Sequence, residues 1–211
     1  MASAVLRNWA KNVVYSTKNV VYPKNVDDVV AAVVGHRHVK AQGTGHSFND
    51  VADTFDTDQS VLVSLCQNMK NVIDIDKDRM VVTVQAGITY GDLCPVLEEN
   101  GLALANLASL PHISVAGAVA TGTHGSGVNN TNLSDAVVGI EFVDGTGTVR
   151  RFSLDDDSGN SVRNPLNGAV VSYGALGVTT SLSLRLVPSF AARQAVYEDV
   201  SLLDVCSCWG Y

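Results

Sequence analysis

Charge is scarce in this chain: Asp, Glu, Lys and Arg make up 17% of its 211 residues, the net charge is −7, and no basic run exceeds two residues. This leaves no electrostatic footprint for nucleic acid or an anionic membrane surface. An anionic ligand would therefore have to be held by backbone dipoles. Long apolar runs are also missing, so no segment is expected to span a bilayer. Arg7 and Lys11 interrupt the apolar residues at the N-terminus, so no secretory signal is expected either. The expected location is cytoplasmic. Cysteine is limited to Cys66, Cys94, Cys206 and Cys208, whose spacing fits neither a disulfide framework nor a zinc site, and free thiols are the reading. What remains is a chain with 46% hydrophobic residues, enough for a sizeable core and a length between one and two domains.

What the sequence has in quantity is glycine beside small and hydroxylated residues. Residues 107–127 combine Gly117, Gly122, Gly125 and Gly127 with Ala116, Ala118 and Ala120, and with Ser114, Thr121, Thr123 and Ser126. Backbone in such a segment can come close to a bulky group and offer it N–H donors. Gly43-Thr44-Gly45-His46-Ser47 has the same character. Two such segments, each after strand-like residues, suggest a large phosphate-bearing ligand held from two sides, with a dinucleotide as the hypothesis.

The remaining elements follow from periodicity. Val13–Tyr15 reads as a short leading strand. Val26, Val29, Val30 and Val33 recur at helical spacing after the capping residue Asn25, with Asp27 and Asp28 in the first turn. A strand is expected at 39–42 ahead of the first glycine-rich loop, which would place a ligand at a strand end. Strands at 61–65, 72–76 and 80–86 are consecutive and expected to be antiparallel, the last two as a hairpin. Thr89 and Asp92 open a helix carrying Leu93, Val96 and Leu97 on one face, and Gly101 ends it. Asp144-Gly145-Thr146-Gly147 turns a second hairpin. Acidic residues 155–157 lead a surface loop through Asn160 without the spacing of a calcium site. A short helix over 166–173 precedes a strand over 178–187, whose Leu182, Leu184 and Leu186 lie opposite Val178 and the serines.

Known nucleotide fingerprints do not fit. The Gly43 loop lacks the third glycine of the nicotinamide motif, the Gly122–Gly127 glycines are in the wrong order, and there is no Walker lysine or nucleophile elbow. His46, between Gly45 and Ser47 at the mouth of a strand, could act as a base, a hydrogen-bond partner or a covalent tether, or could simply pack in its loop. His124 is read as orienting through its ring nitrogens. His112, after Pro111, is read as fixing a turn, and His36 and His38 as facing solvent.

Asn8-Trp9-Ala10-x-Asn12, Gly43-Thr-Gly-His46-Ser-Phe-Asn49, the whole of Leu107–Gly127 and Gly174-Ala-Leu-Gly-Val178, in this order, resemble the FAD-binding (PCMH-type) domain of the vanillyl-alcohol oxidase flavoprotein superfamily. The likeness is to its alditol (xylitol) oxidases and, a step further off, its aldonolactone oxidases. The resemblance implies an α+β fold of two lobes: a small α/β lobe at about residues 1–65 and a mixed, largely antiparallel sheet lobe with helices at 66–188. Residues 189–211 are expected to begin a truncated substrate or cap domain, leaving an uncovered apolar face prone to self-association.

The resemblance also implies the site. His46 is the expected covalent anchor to the flavin 8α-methyl, with Gly43, Thr44, Gly45 and Ser47 around the pyrophosphate. Ser109, Ser114, Gly117, Ala118, Val119, Ala120 and His124 match positions lining FAD. Ser109 also faces the substrate hydroxyl, Ala108 governs dioxygen access, and Val178 meets the adenine end through its backbone. The implied reaction is hydride transfer from a carbinol carbon of a polyol to flavin N5, with reoxidation by dioxygen to hydrogen peroxide. The alternatives are a sugar-lactone oxidase or dehydrogenase, and a non-catalytic module that only holds FAD. No metal is expected.

Overall fold

Runs of valine and leucine sort the chain into two main sheets, each covered by short helices, and one two-stranded pairing, in a computed structural model that describes residues 6–55, 57–127, 129–156 and 164–204. The first sheet joins β1 (Val20–Val21), β2 (His38–Gln42) and β3 (Ser60–Ser64) in the order β1-β3-β2, with every pair parallel. All five residues of β3 are buried, as the central strand of a parallel sheet requires when both faces are covered. The parallel pairing corrects the expectation of an antiparallel relation between this strand and its successors. The expected strand at 13–15 is also absent. Val13 N–H donates to the Asn8 side chain and Tyr15 N–H to the Leu6 carbonyl, so this segment folds back on its own N-terminus and leaves β1 to pair with the sheet.

Helix α1 (Val26–Gly35) lies between β1 and β2 in sequence. Asn25 accepts from Asp28 N–H at its N-terminus as expected, and Val29, Ala32 and Val33 form its buried face. That face packs with Val61 and Val63 of the first sheet, and with Val143 and Val178 of the second, in one apolar cluster. The two sheets are thus joined through shared core rather than by a linker.

The second sheet has five antiparallel strands in the order β4-β5-β9-β7-β8: β4 (Val72–Asp76), β5 (Val81–Gln85), β7 (Val137–Asp144), β8 (Val149–Ser153) and β9 (Gly177–Arg185). Both expected hairpins form. In the central strand β9, Val178, Thr180, Leu182 and Leu184 point inward, so Val178 shares the leucine face rather than opposing it. The inward Thr180 hydroxyl is satisfied by the Glu141 carboxylate at 2.8 Å, which lets a polar residue keep the alternation unbroken. The strand also ends earlier than expected, at Arg185. Val187–Pro188 then forms β10, which leaves the sheet to pair with β6 (Leu102–Ala103).

Three more helices pack against the larger core. In α2 (Tyr90–Glu99), Thr89 accepts from Asp92 N–H at 3.1 Å, and Tyr90, Leu93 and Leu97 are buried. Inside the glycine-rich stretch Val115–Ala120 forms α3, where the sequence reading had only a wall of small residues. The last helix, α4 (Pro165–Ala169), stops short of the expected Tyr173, and the chain then turns to positive φ at Tyr173 and Gly174. Residues 189–204 expose Phe190, Tyr197, Leu202 and Leu203. Residues 157–160 of the acidic loop, and Cys206 and Cys208, lie outside the described residues.

Candidate functional site

The end of β2 delivers Gly43–Ser47 to one wall of a cleft with about 270 Å³ of internal room, and α3 supplies the facing wall. The walls touch directly: Ser114 N–H donates to the Thr44 hydroxyl at 3.2 Å. A Cβ on Gly43 would lie 2.3 Å from Ser114 Oγ, and one on Gly117 would lie 2.7 Å from it. Glycine at both positions is what lets loop and helix meet at the floor of the cleft.

The loop itself is held from behind by the N-terminal motif. Trp9 N–H donates to the Gly45 carbonyl at 2.8 Å, the Asn8 amide to the Ser47 carbonyl at 2.9 Å, and the Asn12 amide to the Phe48 carbonyl at 2.8 Å. Asn8 is almost wholly buried, so its bonds are shielded from water. With the Gly45 and Ser47 carbonyls engaged and Gly45 at φ +75°, the loop keeps the amides of Gly45, His46 and Ser47 without an acceptor among the described residues. Free N–H groups lining a cleft suit an anion.

His46 sits where the sequence placed it, at the mouth of this cleft. Its ring lies 4.9 Å from that of Trp9 and 4.6 Å from that of His112, centroid to centroid. Its Nε2 is buried and makes no hydrogen bond, the only such buried side-chain nitrogen or oxygen among the described residues. Burial, and then the neighbouring His112, lower its pKa and favour the neutral imidazole. An unpartnered, neutral imidazole nitrogen is chemically free to bond or hydrogen-bond to a ligand.

Of the residues the sequence nominated, Gly43, Thr44, Gly45, His46, Ser47, Ser114, Gly117, Ala118 and Ala120 line the cleft. Others lie elsewhere. Val119 and Val178 are core residues, each 2% exposed. Ala108 packs on the edge of the larger core, Ser109 is exposed, and His124 is exposed with Nδ1 3.0 Å from the Gly125 carbonyl oxygen.

Sequence reasoning missed several lining residues, among them Lys40, Cys66, Gly87, Tyr173, Gly174 and Gly177. Lys40 was legible only as a strand residue, although it contributes the cleft's lone Lys, Arg, Asp or Glu side chain among the described residues. Gly87 is placed by contact with Leu65 and Met69, which no local pattern announces. The Gly174 and Gly177 signal was present in the glycine spacing. Tyr173 N–H bonds to the Ala120 carbonyl at 3.1 Å and ties that turn to the end of α3. Burial raises the pKa of the Cys66 thiol, so it is a poor nucleophile.

Residues 17–153 match the family described as FAD binding domain. Over 201 residues the chain is 39% identical to an alditol oxidase of a Streptomyces species, covering 95% of this chain and 46% of that protein. It is 34% identical over 188 residues to the L-gulonolactone oxidase of Mus musculus, covering 87% and 40% respectively. It is also 34% identical over 211 residues to an L-gulono-1,4-lactone dehydrogenase of Mycobacterium tuberculosis, covering 96% and 46%. The chain thus spans less than half the length of these relatives. No helix among the described residues is long and apolar enough to cross a membrane. With its glycine-lined cleft, free amides and unpartnered imidazole, this chain belongs to the FAD-binding domain family.

Proposed function

We propose that the chain holds FAD in the cleft between the Gly43–Ser47 loop and α3, with His46 as covalent anchor, as the cofactor part of an oxidoreductase acting on the CH–OH group of a polyol or sugar lactone. The observation that carries this reading is the buried Nε2 of His46, unpartnered beside a loop whose amides are also free. The residues present fit the cofactor: the glycines make room at the floor, and a chain short of cations offers N–H dipoles to a diphosphate.

Bound FAD supplies the hydride acceptor, with dioxygen as the terminal electron acceptor and hydrogen peroxide as product. Gly43–Ser47 enclose the pyrophosphate, with Lys40 as the one cation near it. Ser114, Gly117, Ala118 and Ala120 form the wall along the cofactor, and the small side chains of α3 keep it close. His124 and Ser109 line its outer side, with Ser109 toward the substrate hydroxyl and Ala108 beside the path of dioxygen. The backbone at Val178 meets the adenine end, next to Gly177 and Thr179 in the cleft. His46, neutral by burial, presents a nucleophilic nitrogen for the covalent link.

The test begins with acid denaturation of purified chain saturated with FAD. Flavin fluorescence should stay with the polypeptide, and His46→Ala should release it. Covalent retention in the variant would remove His46 as anchor, and failure of wild type to take up FAD would overturn the whole reading. Peroxide production with xylitol or sorbitol, set against L-gulono-1,4-lactone, then assigns the substrate class.

A second reading, a module that holds FAD without turnover of its own, is favoured by two observations. Ser109 is exposed outside the cleft, and no Asp or Glu lines the cleft among the described residues to accept a hydroxyl proton. Bound flavin that, with either substrate class, neither yields peroxide nor reduces an added artificial electron acceptor would establish it.

A further inference from the structure

His112 is read from sequence as a turn former, and the function proposed above gives it no task. The fold brings it to the anchor. Gly91 N–H to the Pro111 carbonyl (2.6 Å), Tyr90 N–H to the Ile113 carbonyl (3.2 Å) and Val115 N–H to the Ile88 carbonyl (2.9 Å) stitch residues 111–115 to the start of α2. This pins the backbone on both sides of His112. Its ring lies 4.6 Å from that of His46, tilted by 45°, and Trp9 completes the cluster at 6.1 Å from His112. Neither ring nitrogen of His112 has a hydrogen-bond partner among the described residues. An unpartnered buried nitrogen on one ring thus stands next to an unpartnered ring that can accept a proton.

We propose that His112 is a positioning residue for covalent attachment, acting as hydrogen-bond partner and proton acceptor for the ring N–H of His46 as the other ring nitrogen bonds to the cofactor. This rests on the reading of His46 as the FAD anchor. A C–H bond of the flavin 8α-methyl and the N–H of His46 are replaced by a C–N bond; the two electrons and the methyl proton released end on the isoalloxazine ring system, and the His46 proton passes to His112. Dioxygen then takes the two electrons, with two protons, as hydrogen peroxide. The His46 proton needs a way out, because an imidazole alkylated on one nitrogen and still protonated on the other is a cation in a desolvated place. The cleft provides no carboxylate among the described residues, and His112 is the titratable group in ring contact with His46.

The test uses the full chain purified from flavin-limited cells, with FAD added and acid-stable flavin followed over time. His112→Phe keeps a ring against His46 and removes both nitrogens. His112→Gln keeps a hydrogen-bonding group that cannot take up a proton. Attachment should slow at least tenfold in His112→Phe and by less in His112→Gln, while non-covalent FAD affinity stays within threefold of wild type. Added imidazole should restore the rate in His112→Ala. Attachment at the wild-type rate in His112→Phe would overturn the proposal. So would a slowing that tracks lost FAD affinity and resists imidazole, since packing alone would explain it. If wild type binds FAD but never attaches it, the inference and the anchor fall while the cleft stands. If wild type binds no FAD, the cleft falls with them.

Discussion

The two walls of the cleft are held by opposite means. The Gly43–Ser47 loop has no regular structure, and it and the adjoining Phe48 are tied from behind by three hydrogen bonds from residues 8–12, more than thirty positions away in sequence. The facing wall, α3, buries Val115, Ala118 and Val119 in the larger core at 0–2% exposure. Apolar packing is spread over many atoms, whereas the loop depends on a few directed bonds. One wall should therefore fail globally and the other locally.

The largest expected effect is on the packed wall. Val115→Ala removes two buried methyl groups and should cost about 2–3 kcal/mol. In a chain of this length that corresponds to roughly 4–12 °C in Tm, readable by thermal unfolding. FAD affinity of the molecules that stay folded should hardly move. Asn8→Ala should cost less stability, about 1–2 kcal/mol, because it removes the bond to the Ser47 carbonyl and the acceptor of Val13 N–H. Its effect on FAD retention should nevertheless be the greater of the two, at least tenfold. If Val115→Ala harms FAD binding more than Asn8→Ala does, the contrast between the walls is broken.

Gly43→Ala should weaken FAD binding about fivefold, through the clash with Ser114 Oγ, at a cost of roughly 1 kcal/mol. The double variant with Ser114→Ala should recover most of it, as titration with FAD would show. Failure to recover would mean that the loop, not the facing hydroxyl, sets the approach. The smallest effect concerns pH. The folded-state pKa of His46 is lowered, so its contribution to stability is present above the unfolded value of about 6.5 and is lost as pH falls through the folded value. The gap in Tm between wild type and His46→Ala should therefore narrow on the acid side. A gap that widens there would show that burial and the neighbouring His112 do not disfavour the charged ring.

Local chemistry made much of the fold legible. Asn25 and Thr89 cap the helices they were expected to cap, and both hairpins turn where glycine and charged residues interrupt alternating apolar ones. What local pattern could not supply was partnership. The buried run Ser60–Ser64 reads the same whether its neighbours are parallel or antiparallel, and only the pairing with β1 and β2 decides it. The same holds at the site. Gly43–Ser47 and Ser114–Ala120 were visible as glycine-rich segments, but the short helix within the second was hidden by its low-bulk composition. Trp9 and His112 lie 103 residues apart in number (112 − 9), and nothing in either neighbourhood signals that both rest against His46.

The placement of β9 at the centre of the five-stranded sheet has a consequence for how the chain is made. Thr83 and Ser183 share a hydroxyl contact across the β5–β9 ladder although they are 100 residues apart. During synthesis the first hairpin must wait with one edge bare until Gly177–Arg185 leaves the ribosome, at about 5–20 residues per second. For several seconds that edge is a template for wrong partners. Yield from expression should therefore respond to translation speed and chaperone supply between residues 85 and 185 more than to anything at the cleft.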